Sequence, residues 1–530
     1  MCEESSVAHP ICTSAISQLD EDVLGRIFEI NADLGIRSEN FHPLDVTRRA
    51  SQVCRQWRQL IIDSPSIWGG LIDLDHFSSQ KTDHWRDEVM TRTGQSLLSV
   101  TGSVQPDDEA TRDFFHSLMT FHWPRIRTLE LSVFADFIDS SAWDIFWEEP
   151  ALHLEKFILQ HHRNAGSIVR HSGDRRSLFA NQAPSLRSFH CRVLDFDNRA
   201  GWISQLRSVT LSFPLSVFDA LDLLSRAPHL QEVTIGGRVA LPPTPLPPQN
   251  RNIVLPYLHH IKFENSLRNS VTFLEQMVPA PQCQLDLVTT DYGNSNISFS
   301  DITSLNLVAS RFAKSFFNST DVIGLMIIMT SQSFLALPTF LDKHRNLITT
   351  TPPFRMHITC YPKFPQGSAS LLLGTFSACR LISITNLDLL LDTSCNLGAE
   401  DPVLAEMIMA LTSVKELTIN AYGVELLNVI PFNNAVMFPS LRTVNLQYMY
   451  RATPTLPETL LSFLERRKKA GVAVDVVDIS RWSSTGKVDW SFLEAVEGLR
   501  VVLKSNGETD NYICGTGRPE RLNFLTTVES

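Results

Sequence analysis

Apolar residues in SQLDEDVLGRIFEI, residues 17 to 30, recur at helical spacing. Leu19, Val23, Leu24, Ile27, Phe28 and Ile30 are read as one side, while Asp20, Glu21 and Asp22 fill the first turn, where the helix dipole favours negative charge. The pattern predicts a short amphipathic helix capped by Ser17. Gly25 costs that helix about 1 kcal/mol relative to alanine, so packing must hold it. Residues 31 to 45 are polar, carry Gly35 and Pro43, and read as a loop. A second helix is expected from Thr47 to Asp63, with Ala50, Val53, Cys54, Trp57, Leu60 and Ile61 at intervals of three and four and Arg48, Arg49, Arg55 and Arg58 on its other faces. Ser64-Pro65 then supplies a cap and a first-turn proline for a third helical turn through Ile67 and Trp68, ended by Gly69-Gly70. Three short helices cannot bury that much apolar surface among themselves, so either the rest of the chain covers it or another protein does.

Further along, a phrase recurs: a proline or polar residue, then L-x-x-L/V-x-L/I. It appears as WPRIRTLEL (123 to 131), PALHLEKFIL (150 to 159), APSLRSFHCRVL (183 to 194), ISQLRSVTLS (203 to 212), APHLQEVTIGG (227 to 237), LPYLHHIKFEN (255 to 265), LTSVKELTIN (411 to 420) and FPSLRTVNLQ (438 to 447). Each copy alternates apolar with polar residues like a short strand, as where Leu186 enters the strand and Phe189 points inward. Helix-like stretches such as 216 to 228, with Phe218, Leu221, Leu224 and Ala227 on one face, lie between copies. Such a unit cannot bury its own apolar side, and stacking neighbours completes the core. Between about 290 and 400 the phrase blurs, and the array is expected to continue there in degenerate form.

Residues 456 to 480 read as a clean unit: a helix with Leu460, Leu461, Phe463 and Leu464 inward, Gly471 as its stop, and a strand from Val472 to Ile479. Arg466, Arg467, Lys468 and Lys469 fall in the last helical turn, where cations suit the dipole better than they suggest a nuclear localisation patch. LPPTPLPPQN (241 to 250) has polyproline character and reads as a solvent loop between repeats. The polar residues after Ser505 read as a loose tail. Strand positions such as Arg187, Arg207, Gln231, Lys415 and Arg442 are expected to line the inner face of the sheet.

LDEDVLGRIFEI, followed by a loop and then ASQVCRQWRQLIIDSPSIWGGLIDL, resembles the F-box in the variety abundant in fungi, with its V-C-[KR]-x-W-[RK] and S-P-x-L-W elements. The resemblance covers residues 17 to 74, and Asp20 stands where the family has a proline that starts the first helix and touches the partner. It implies a Skp-type adaptor, and through it a cullin-RING ubiquitin ligase, as partner. By position in the motif, Leu19, Asp20, Val23, Leu24, Ile27, Val53, Cys54, Trp57 and Leu60 would form or support the adaptor-binding surface, and Phe28, Pro65 and Trp68 would hold the fold. Taken singly, each of these apolar residues is more often core than interface; Trp57 in particular also reads as the residue that holds the three helices together, and Cys54 reads as a small buried hydrophobe. The recurrent phrase resembles the irregular leucine-rich repeats that often follow an F-box. The implied fold is α/β: a short N-terminal three-helix F-box followed by a leucine-rich-repeat-like solenoid, a curved parallel sheet with outer helices. Residues 1–16 would be a flexible N-terminus, 17–74 the F-box, 75–120 a linker or first cap, 121–504 the solenoid and 505–530 the tail.

Composition narrows the partners. The net charge of −11 over 530 residues offers no basic field for phosphate, which argues against nucleic acid. Nine cysteines, odd in number and without a C-x-x-C pair, point to a reducing compartment with free thiols rather than to a disulfide frame or zinc knuckle. The acidic start, Met1-Cys2-Glu3-Glu4, does not resemble a signal peptide, and the apolar run from Val322 to Met329 is far short of the ~20 residues that span a bilayer. The expected location is cytoplasmic or nuclear. No phosphate-binding loop, G-x-S-x-G elbow or H-E-x-x-H helix occurs, and His161-His162 and His259-His260 are adjacent pairs that would diverge in a strand. The leading expectation is a non-catalytic substrate receptor without cofactor or metal, binding the adaptor and an unknown protein substrate. The alternative is a leucine-rich scaffold that keeps the F-box fold without a ubiquitylation role.

Overall fold

A computed structural model describes residues 19–35, 41–79, 84–105, 108–133, 144–161, 177–191, 196–211, 216–236, 252–291, 297–339, 353–395, 397–398, 401–430, 436–448, 455–482, 488–505 and 508–523. Ser17, the proline-dense stretch 241–250 and residues 1–16 lie outside them. The chain is mixed α/β and divides into two compact units, Met1–Thr210 and Leu211–Ser530.

The first unit begins with α1 (Glu21–Asn31), α2 (Pro43–Ala50), α3 (Arg55–Ile62) and α4 (Pro65–Gly69). Asp20 caps α1, its carboxylate accepting from the Asp22 amide at 2.9 Å. The single helix expected from Thr47 to Asp63 is two. The chain turns through Ser51, Gln52 and Val53, and α2 starts earlier, inside the stretch expected as a loop, because Pro43 fits its first turn and the His42 ring accepts from the Leu44 amide at 3.2 Å. Cys54 caps α3 in extended conformation, its thiol accepting from the Trp57 amide at 3.4 Å.

There follow β1 (Ile72–Asp73), α5 (Leu74–Ser78), α6 (His84–Arg92), β2 (Leu98–Val104), α7 (Glu109–His122), β3 (Ile126–Val133), α8 (Ile145–Glu148), β4 (Lys156–His161), β5 (Ser188–Cys191) and β6 (Ser208–Leu211). The stretch 75–120, expected as a linker or first cap, therefore carries helices and a full strand. Strands β1 to β6 pair in chain order, all parallel. Equivalent positions of the recurrent phrase are in register: Leu129, Phe157, Phe189 and Val209 face one another and are buried. One residue ahead of β4, β5 and β6 the backbone makes a spine, Glu155 donating to Arg127 near the start of β3, Arg187 to Glu155 and Arg207 to Arg187 at 2.7–2.8 Å.

The second unit holds α9 (Val217–Ser225), β7 (Glu232–Gly236), β8 (Ile253–Val254), β9 (His260–Asn265), α10 (Leu267–Glu275), β10 (Met277–Val278), β11 (Gln284–Asp291), α11 (Phe299–Ser319), β12 (Gly324–Met329), β13 (Ser333–Thr339), β14 (Phe354–Cys360), α12 (Ser368–Gly374), β15 (Asn386–Leu391), α13 (Pro402–Ala410), β16 (Glu416–Ile419), α14 (Ala421–Val429), β17 (Thr443–Leu446), α15 (Leu456–Lys469), β18 (Val476–Asp478), β19 (Arg500–Ser505) and β20 (Glu508–Ile513). Strands β7, β9 and β11 run parallel, as do β15 to β19. The blurred stretch departs from the simple order: β14 pairs parallel with β11, β12 pairs parallel with β15, and β13 lies antiparallel between β12 and β14. The tail expected to be loose carries β20, which closes the sheet antiparallel to β19 and buries Tyr512. The strand expected from Val472 to Ile479 is only β18, entered after Gly471 leaves α15 at φ +76.

Two devices tie successive elements together. Arginines on one helix cap the carboxyl end of its predecessor. Arg311 of α11 donates to the Leu274 and Met277 carbonyls at 3.0 and 2.7 Å, and Arg466 of α15 donates to those of Leu427 and Asn428 at 2.8 Å. Arg467, expected like its neighbours to serve the dipole of α15 itself, is buried and donates to Met437 and Phe438, and its burial lowers its pKa to about 10. Asn420, just past β16, donates to the Leu391 carbonyl at 2.6 Å and accepts from the Leu391 amide at 3.2 Å, joining the ends of β15 and β16 while capping α14.

The five residues expected on the inner strand face lie elsewhere. Arg187, Arg207, Gln231, Lys415 and Arg442 each stand one position before a strand, where their backbones form the spine. The side chains that do face out of the sheet are the partly exposed alternates within the strands.

Candidate functional site

At about 100° per residue along α1, Val23, Ile27 and Ile30 fall on one side and the pair Leu24 and Phe28 is centred more than 90° from them, while Leu19 stands just before the extended Asp20 cap. The helix thus has two apolar faces, not the single one its spacing suggested. Leu24 and Phe28 are 2% and 3% exposed, whereas Leu19, Val23, Ile27 and Ile30 are 37%, 47%, 39% and 48% exposed. Leu24, expected at a partner surface, is core.

Helix α3 holds the inward face. Trp57 meets Phe28 edge to face at 5.0 Å between ring centroids, and Gln56 donates to Glu21 at 3.3 Å. That bond joins the amino ends of α1 and α3, so Leu19 and Asp20 on one strand of chain and Val53 and Cys54 on the other flank the same joint. Val53 is 64% exposed, while Trp57 and Leu60 are half-buried. Cys54 is exposed, a correction to its reading as buried: the chain break between α2 and α3 turns its thiol into a cap rather than a core group. Phe41, missed in the sequence because it lies in the presumed loop, adds a further exposed ring under the Arg49 guanidinium.

The other part of the apolar surface is covered by this same chain. Trp68 is buried, donates from Nε1 to the Ile61 carbonyl at 2.8 Å, and carries the Arg92 guanidinium 4.5 Å over its ring. A Cβ at Gly69 would strike the Leu97 carbonyl, so α4 sits against the approach to β2 with no room for a side chain. Pro65 is exposed at the first turn of α4.

Beside α2 the His42 and His76 rings stack at 4.2 Å. His42 Nδ1 accepts from the backbone, so Nε2 carries the proton and donates to Asp73 at 3.0 Å. Burial, and next the neighbouring His42, lower the His76 pKa, against Asp45 and Asp73, which raise it.

Among the described residues no group of three or more His, Cys, Asp or Glu is placed to hold a metal ion. Burial pushes the thiols of Cys283, Cys379, Cys395 and Cys514 up to about 12, far from nucleophilic character near neutrality. A cleft of about 270 Å³ in the first unit is lined by Leu152, Pro184, Trp202 and amide side chains, with no titratable group. No described helix is long and apolar enough to cross a membrane. No family model matches the chain, and no curated protein matches it significantly.

Proposed function

We propose that this chain is the substrate-recognition subunit of a Skp–cullin–F-box ubiquitin ligase. The observation that carries the reading is the second apolar face of α1, Val23 and Ile27, with Leu19 just before the helix, left partly exposed beside Val53 although Leu24 and Phe28 already fill the core. A contiguous apolar stripe on a solvent-facing helix marks a partner surface, and a few aliphatic anchors there supply most of the binding energy. Residues 17–74 act as the F-box and dock the adaptor. Asp20 replaces the family's proline as helix starter, its carboxylate accepting from the Asp22 amide and so satisfying one of the free amides at the start of α1. The parallel, in-register phrases and the Asn420 bridge between β15 and β16 support leucine-rich-repeat-like units beyond it, which hold the client.

The chain supplies no catalytic group in this reading. It raises the effective concentration of client lysines near the ligase's transfer machinery. The test is co-expression of the full chain with a Skp-type adaptor and a cullin: recovery of both on the chain supports the receptor role, adaptor without cullin favours the scaffold reading, and recovery of neither removes the proposal.

A further inference from the structure

Strands β12, β13 and β15 bury one set of alternate side chains and turn the other set out. Leu325 and Ile327, Phe334 and Ala336, and Leu387 and Leu389 are buried on the helix side. The opposite positions are Met326, Ile328, Leu335 and Leu337, all partly exposed, with the buried Leu390 at their edge. Register makes them one patch: Met326 lies between Leu337 and Asp388, and Ile328 between Leu335 and Leu390. The fold does not require this. At the same alternation in the first unit the outward positions include Glu130, Lys156, Ser188 and Thr210.

The charges at the two margins differ in kind. On the β14 side Arg355 is committed to Asp286 through a bidentate pair at 2.6 and 2.8 Å. On the β15 side Asp388 receives the Thr418 hydroxyl, and among the described residues no cation stands within ion-pair distance of it; the exposed Arg481 acts only through space. Burial raises the Asp388 pKa, the mark of a carboxylate short of compensating charge. An apolar occupant alone would strip water from that carboxylate, and an acidic one would add repulsion. A cation offsets both costs.

We infer that this face of β12, β13 and β15 holds an extended segment of the client protein, in which an apolar side chain seated over Met326 and Leu335 is followed two positions on by a lysine or arginine directed at Asp388. The inference rests on the receptor reading for the word client, and it supplies the client's chemistry. Spacing agrees: β13 and β15 stand about 10 Å apart across β12, same-side residues of an extended segment about 7 Å apart, and a long cationic arm spans the rest.

The test is selection of a random dodecapeptide library on the immobilised full chain, followed by fluorescence anisotropy with the most enriched peptide. Enrichment of apolar-x-Lys/Arg is expected, with Met326→Glu weakening the selected peptide tenfold or more and the isosteric Asp388→Asn abolishing preference over its Lys/Arg→Glu counterpart. Enrichment of acidic peptides, no enrichment, or unchanged affinity in Met326→Glu overturns the inference. Adaptor recovery by the same variants is read in parallel: adaptor binding without peptide preference sinks only this inference, and peptide preference without adaptor binding sinks only the ligase reading.

Discussion

Phe28 and Trp57 meet edge to face, their ring planes at 68°, and this contact turns one apolar side of α1 inward so that the other stays in water. Trp57 is only half-buried, whereas Trp68 is fully buried and hydrogen-bonded to Ile61. Trp68→Ala should therefore cost about 3–5 kcal/mol, as buried aromatic truncations do, and Trp57→Ala distinctly less. Urea unfolding of the two variants measures the order, and a larger loss at Trp57 would reverse the assignment of core and flank.

Asn420 should be a costly polar position in the second unit. Asn420→Ala would leave the Leu391 amide and carbonyl without their partner and uncap α14, a loss of about 2–4 kcal/mol. The check is chemical unfolding monitored in that unit, and a change below about 1 kcal/mol would show the bridge to be dispensable.

Much of this was legible in the sequence. Every recurrent phrase ends in a strand, because Leu, Phe and Val at alternate positions behind a turn have few other ways to be buried together. The helix containing Leu460, Phe463 and Leu464 and its Gly471 stop also followed from spacing. What spacing does not carry is which apolar residues face water. Leu24 and Val23 are neighbours of similar character, and only the position of Phe28 against Trp57 separates them. The break at Ser51–Val53 was hidden because residues 50, 53, 54 and 57 keep helical intervals across a turn. The antiparallel β13 was likewise hidden, since alternation reports a strand but not its direction. Arg466 and Arg467 read as cations for their own helix, yet their reach is set by the preceding unit, which no local pattern shows.

Cys54 is the exposed thiol among the described cysteines, with Cys191, Cys283, Cys360, Cys379 and Cys514 buried. Native labelling with N-ethylmaleimide, mapped by mass spectrometry, should modify Cys54 rapidly and those five slowly. Bound adaptor should protect Cys54. Equal labelling with and without adaptor would place the partner away from the joint of α1 and α3.

Acid should destabilise the chain from the middle of the histidine range. His76, His122, His260 and His357 all have pKa values lowered chiefly by burial, so the unfolded chain binds more protons than the native one between the ordinary value of 6.5 and each lowered value. Stability is then full above about 6.5 and falls as pH drops through that window. His76→Gln should flatten part of the slope, read as the change in unfolding midpoint between pH 7.5 and 5. An unchanged slope would mean that the ring stacked on His42 takes up its proton without cost.

The most direct test of the account is the affinity of the full chain for a purified Skp-type adaptor, measured by calorimetry for the wild type and for Val23→Asp combined with Ile27→Asp. Both side chains are partly exposed and outside the core, so the double variant should keep the wild-type circular dichroism spectrum. Losing two anchors at roughly 1.5–2 kcal/mol each predicts binding weaker by about 100-fold or more. A wild-type chain that binds no adaptor, or a double variant that binds as tightly as the wild type, would contradict the claim that this exposed stripe is the docking surface.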